Sequence, residues 1–188
     1  MRSDFDDPCC SRLAQSRREW LRMTMGLALS AGIVGWLPLA QAGGLAVGRP
    51  APSLVLHTLG GQSIASEDLR GSVVILTFWA TWCEPCRTEL PLLSAYAARH
   101  AAKGLRVLGF SLDGPENIAD VRQVANGLSF PVGLLGSAYA GGYGRIWRIP
   151  VNFTIDRNGI LVDNGWDDPK PAWTTERIER IVTPLLGG

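Results

Sequence analysis

The stretch Val73-Val-Ile-Leu-Thr-Phe-Trp-Ala-Thr-Trp-Cys83-Glu-Pro-Cys86-Arg-Thr-Glu89-Leu-Pro91 decides how this chain folds. Val73 to Phe78 is an apolar run rich in β-branched residues, the pattern of a strand buried on both faces as in a parallel sheet. It leads through Trp79 and Trp82 into Cys83-Glu84-Pro85-Cys86, after which Leu90, Leu93, Tyr96 and Ala97 recur at helical spacing. Pro85 suits the first turn of that helix, where a missing N–H costs nothing. Pro91, about two turns in, is expected to kink it.

Cys83 therefore falls at the mouth of a helix, where unpaired N–H groups and the positive end of the dipole favour a thiolate. Cys86 lies one turn further on, within reach for a disulfide. That makes Cys83 the expected nucleophile, with a depressed pKa, and Cys86 the thiol that resolves a mixed disulfide. A bare C-x-x-C is also compatible with a bracing disulfide or half of a zinc site. The strand–Trp–C-x-x-C–helix setting is what favours redox chemistry.

Phe78-Trp-Ala-Thr-Trp-Cys-Glu-Pro-Cys-Arg87 resembles the active-site segment of the thioredoxin superfamily, most closely the TlpA/ResA group of exported bacterial thiol–disulfide oxidoreductases. The resemblance covers nearly all of residues 48–186. It extends to Pro91, five residues after the second cysteine, and to Ile149-Pro150-Val-Asn-Phe-Thr-Ile-Asp156-Arg-Asn-Gly159, similar to the family's proline followed by a strand and a turn. It implies a cis peptide at Pro150 beside the disulfide and a backbone at Ile149 that pairs with an extended substrate. It also implies substrate contacts from Trp82, Glu84 and Pro85, with Glu84 tuning potential and partner choice.

Two positions depart from the family pattern. Thioredoxins carry a buried Asp six residues before the first cysteine; here that residue is Thr77. The proton acceptor for Cys86 must then come from elsewhere, and Glu89 matches a glutamate that ResA-like members place near the cysteine pair. Partial burial would raise its pKa and fit it for proton exchange near neutrality; the alternative is a solvated carboxylate on the helix surface. The Thr that usually follows the cis-proline is Val151.

At 188 residues and 46% hydrophobic, the chain can bury one good core. Ahead of it, Ser16-Arg-Arg-Glu-Trp-Leu-Arg22, the moderately apolar run Met23 to Leu37 and Pro38-Leu-Ala40-Gln-Ala42 form a charged region, a short apolar stretch and an A-x-A end. That is the form of an export signal, and the paired arginines resemble the twin-arginine type. Cleavage is expected after Ala42, leaving residues 43–188 as the domain. The alternative is an uncleaved anchor, for which the run is short of the roughly 20 residues a span needs. Cleavage would remove Cys9 and Cys10, so that only Cys83 and Cys86 remain, too few for a structural framework. It would also remove five of the 18 basic and four of the 17 acidic residues, leaving 13 of each. A neutral domain with no basic run argues against nucleic acid as a partner.

Gly60-Gly61 between Leu54–His57 and Gln62–Ala65 predicts a hairpin. Ser66–Gly71 predicts one capped helical turn. Leu105–Ser111 predicts a second central strand, Pro115–Ala125 a helix, and Phe130–Leu135 a short edge strand. Gly136–Arg148 resembles the family's short helix before the cis-proline, and its Gly141-Gly-Tyr-Gly144 reads as turn chemistry. Trp147 is expected either in an apolar rim with Trp82 or in the core. Two strands flank the Asn158-Gly159 turn, and Thr174 or Thr175 caps a last helix with apolar Ile178, Ile181, Val182 and Leu185. The whole predicts an α/β, thioredoxin-like three-layer fold: a central mixed sheet flanked by helices, with an added N-terminal β-hairpin.

The function implied is a periplasmic oxidoreductase, a monomer with no metal and no cofactor beyond the Cys83–Cys86 pair. The resemblance suggests a reductant of apocytochrome c or metal-site cysteine pairs, recharged by a membrane thiol–disulfide donor. Two other functions use a similar fold. A copper-handling domain would need a histidine near the cysteines, and His57 and His100 are poorly placed for it. A peroxiredoxin-type peroxidase carries a Pro and a Thr shortly before its reactive cysteine, where this chain has Thr81-Trp82.

Overall fold

The computed structural model describes residues 44–187; the expected signal segment, its boundary at Ala42 and the two early cysteines lie outside the described residues. The hairpin is β1 (Val55–His57) and β2 (Ser63–Ala65), and the Val73 run is β3 (Val73–Trp79), every residue of it buried. The cysteine helix is α1 (Glu84–His100), followed by β4 (Leu105–Ser111), α2 (Ile118–Ala125) and β5 (Val132–Leu134). β6 (Val151–Ile155), β7 (Leu161–Asn164) and α3 (Thr175–Ile181) complete the domain.

Five strands form one sheet in the order β5-β4-β3-β6-β7, and the hairpin stands apart as a two-stranded sheet. β3 and β4 run parallel, as do β4 and β5, whereas β6 lies antiparallel to β3 and β7 to β6. Successive side chains of a strand point to opposite faces. Val73, Ile75 and Trp79 accordingly enter one core with Leu90 and Leu93 of α1, Val121 of α2 and Ile178 of α3. Val74, Leu76 and Phe78 enter a second core with Leu56 of the hairpin, Tyr143 and Phe153. Helices thus cover one face, and the hairpin and a short 3-10 turn cover the other.

Thr77 sits on the helix-covered face and pairs directly with Asn152 of β6, a register that puts two polar residues under α1. Both are fully buried.

The outer strands are not left open. Gly48 N–H donates to Leu161 O at 2.8 Å and accepting Arg49 O receives Leu161 N–H at 2.9 Å, so the N-terminal lead-in lies along β7. On the other side, Leu59 N–H donates to Val132 O of β5 at 2.8 Å. Here the hairpin presses its His57 carbonyl against Gly133, where a Cβ would overlap it. Gly133→Ala is expected to cost about 1–3 kcal/mol by overpacking, read as a lower denaturant midpoint at unchanged slope.

Several elements differ from expectation. Ser66–Leu69 is a 3-10 turn with no side-chain cap; the Ser66 hydroxyl instead accepts Leu54 N–H at 3.0 Å. The region 136–148 forms only a 3-10 turn, Gly141–Tyr143, in place of the short helix. Gly141 (φ 53°) and Gly144 (φ 81°) take left-handed conformations that end any helix there. Pro91 does lie inside α1 as expected, and the helix continues past it to His100. Thr174 caps α3 as expected, accepting Arg177 N–H at 3.2 Å, but the helix stops at Ile181, three residues before Pro184 and short of Leu185.

Candidate active site

Cys83 is the N-cap of α1, with extended backbone (φ −89°, ψ 99°), and its sulfur accepts Cys86 N–H at 3.3 Å. The two cysteines form a disulfide, S–S 2.00 Å, with Cα atoms 5.3 Å apart. Cys83 is 5% exposed and Cys86 is fully buried, so of the two residues only Cys83 keeps any exposure. Glu84 and Pro85 lie exposed on the first turn beside Trp82, which is 69% exposed.

The loop from β3 into α1 is fixed from the end of β4. Asp113, buried two residues beyond that strand, accepts Thr81 N–H at 2.9 Å and the Thr81 hydroxyl at 2.6 Å. Its carboxylate also accepts the Ser111 hydroxyl at 2.6 Å. Cys83 N–H closes the loop onto Ala80 O at 3.1 Å.

Glu89 lies one turn after Cys86 on the same helical face and is 2% exposed. Its carboxylate accepts Trp173 N–H at 2.6 Å and the Asn152 amide at 3.3 Å. Burial pushes its pKa up from 4.5 to about 7, against the pull of those donors and of the Arg177 charge. The Thr77 hydroxyl also faces it and favours the anion, though no well-formed hydrogen bond joins them. Arg177 is itself buried, paired with Asp163 at 2.7 Å and Asp168 at 3.2 Å, and its guanidinium lies over the Trp173 ring at 4.4 Å.

The Ile149–Pro150 peptide is cis. Pro150 is buried and Ile149 packs against the core that holds both cysteines. Among the described residues, no hydrogen bond engages the Ile149 main chain. Trp147, 68% exposed, stands outside the core, stacked on Trp166 at 5.5 Å with the Arg148 guanidinium over it. His57 bonds Ser63 at 2.9 Å in the hairpin, and His100 lies against Tyr96 at the far end of α1. No group of three or more metal-ligating side chains occurs among the described residues.

A strand, an N-capping cysteine, a second cysteine one turn on and a cis-proline loop make a site for exchanging disulfides. The AhpC/TSA family model matches residues 47–164, more than half of the chain. The chain belongs to the AhpC/TSA family. Within it, the chain is similar to the thiol-disulfide oxidoreductase ResA of Bacillus anthracis, 36% identical over 62% of this chain and 68% of that protein. The thioredoxin-like protein YneN of Bacillus subtilis is 29% identical over 78% of this chain and 88% of its own. Among solved structures, a thiol:disulfide interchange protein of the thioredoxin family from Chlorobium tepidum superposes with TM-score 0.60 at 28% identity, covering 77% of this chain and all of that one. The protein is a thiol–disulfide oxidoreductase of the ResA type, on a thioredoxin-like fold.

Four residues of this AhpC/TSA site escape a reading of the sequence: Asp113, Asn152, Trp173 and Arg177. Asp113 carries the clearest signal, a charged residue just past the C-terminal end of a central parallel strand, where α/β sites gather. The other three reach Glu89 only through the β3–β6 register and the C-terminal loop.

Proposed function

We propose that this protein is an exported reductant of protein disulfides, in which Cys83 attacks and Cys86 resolves. The reading is carried by the stacking of three groups on one helical face: a sulfur at the helix mouth, a buried sulfur behind it, and Glu89 poised near neutrality beyond that. Backbone N–H groups and the helix dipole favour a thiolate on Cys83. That thiolate attacks one sulfur of the substrate disulfide and expels the other, which takes a proton. Cys86 then gives its proton to Glu89 and, as thiolate, attacks the Cys83 sulfur, expelling the second substrate sulfur as a thiolate that takes its proton from water or, in turn, from Glu89. The substrate gains two electrons and two protons, and the protein is left as its disulfide. Ile149 would hold the substrate as an added strand beside Pro150, with Trp82, Glu84 and Pro85 along the approach.

Export is supported by the signal-like segment ahead of the domain. No helix among the described residues is long and apolar enough to cross a membrane. Resemblance to the ResA group supports apocytochrome c or metal-site cysteine pairs as substrates and a membrane thiol–disulfide donor; the working form is taken as a monomer. Equilibration with glutathione tests the direction. The pair is expected to settle well below the roughly −120 mV of a strong oxidase, and a value at that end would reverse the assignment.

A further inference from the structure

We infer that Asp113 is a positioning residue for the dithiol, whose fixed negative charge opposes the thiolate at Cys83 and holds the couple to the reducing side. Asp113 lies two residues beyond β4, off the cysteine helix, and all three groups on its oxygens are donors: Thr81 N–H, the Thr81 hydroxyl and the Ser111 hydroxyl. That is the bonding pattern of an ionised carboxylate. Ser111 is itself locked, since its hydroxyl oxygen accepts Asp113 N–H at 3.0 Å. The carboxylate is buried, so water screens it little.

Thr81 is two residues from Cys83, so at most about 7 Å of chain separates their Cα atoms. The Asp113 carboxylate is bonded to Thr81, so its buried charge is tied into the same short loop as Cys83, where the field it exerts on the sulfur is weakly screened. The helix mouth pulls toward the thiolate; Asp113 pushes back. A thiolate that is less favoured makes the dithiol give up its electrons more readily, which is the direction a reductant needs. The other ionisable groups near the pair are Glu84 and Arg87, both exposed on α1, and Glu89 beneath Cys86 with Arg177 behind it.

The inference rests on Cys83 being the attacking sulfur. Asp113→Asn isolates the charge, because its oxygen can keep the Thr81 N–H and Ser111 bonds while its amide donates to the Thr81 hydroxyl. At pH 8 in glutathione buffers, this variant is expected to favour the dithiol about tenfold more than wild type, a potential roughly 30 mV higher. pH-dependent alkylation read by mass should show Cys83 ionising at lower pH. Thr81→Val keeps the backbone bond but withdraws one donor, leaving more of the charge unquenched. It is expected to shift both readouts the opposite way, by about threefold. A clamp with no electrostatic role would loosen the same loop in both variants and move them together. The inference is overturned if Asp113→Asn stays within twofold of wild type, or if both variants shift in one direction. Should Asp113→Asn fail to fold, a Thr81→Val protein that is unchanged or shifted toward the dithiol overturns it alone. Alkylation that finds Cys86 as the reactive thiol would instead overturn the sulfur assignment.

Discussion

A Cys86→Ala variant is expected to accumulate a mixed disulfide through Cys83 that wild type does not, whereas Cys83→Ala should capture nothing and lose activity entirely. The two positions differ in a way that bears on this prediction: Cys83 caps the helix and keeps 5% exposure, whereas Cys86 is fully buried behind it. With the resolving sulfur gone, the bond at Cys83 has no internal thiolate to break it, so the intermediate persists. Expressing the variant in the periplasm and identifying the trapped polypeptide by mass would also name the substrate. Capture only through Cys83→Ala would reverse the roles of the two sulfurs.

Glu89→Gln should slow the resolving step by about 10²-fold at pH 7, the usual contribution of a positioned acid or base. Its stability profile gives an independent check. Glu89 titrates near 7 when folded and near 4.5 when its burial is relieved. Between those values the folded protein keeps a proton that the unfolded chain has released. The stability associated with this carboxyl is therefore full below pH 4.5 and is lost as pH rises through 7, by about 3 kcal/mol. The Gln variant, neutral throughout, should lack that decline. Its carbonyl oxygen can keep the Trp173 N–H bond that the carboxylate accepts. Denaturant unfolding of the oxidised proteins from pH 4 to 8 measures both curves. Parallel curves would place the carboxyl in water-like surroundings and remove it from the mechanism.

The parts of this site that are local in sequence were legible there. Strand, Trp, cysteine pair and helix follow one another within twenty residues, and periodicity alone orders them. Glu89 shares a helical face with Cys86 by spacing, so its nearness was readable; its burial was not, because the cover comes from Trp173 and Asn152, far along the chain. Thr77 looked like the loss of an acid. In the folded protein it faces the carboxylate that α1 supplies, so a buried acid lies beside this strand position even though the strand itself carries none. The hairpin was marked by Gly60-Gly61, but nothing local shows that it docks on Gly133. The short helix expected before Pro150 gave way to glycine conformations that a helical resemblance could not override.

The lacing of residues 48–51 along β7 and of Leu59 onto β5 has a bearing on selectivity. Strand edges invite indiscriminate pairing with other chains, and both margins of this sheet are occupied from within. An unfolded polypeptide would find few main-chain groups to grip along these margins, whereas the Ile149 main chain, beside the core that holds the sulfurs, is unengaged among the described residues. Such an arrangement would let the protein meet many chains briefly and linger only on those that bring a disulfide with them.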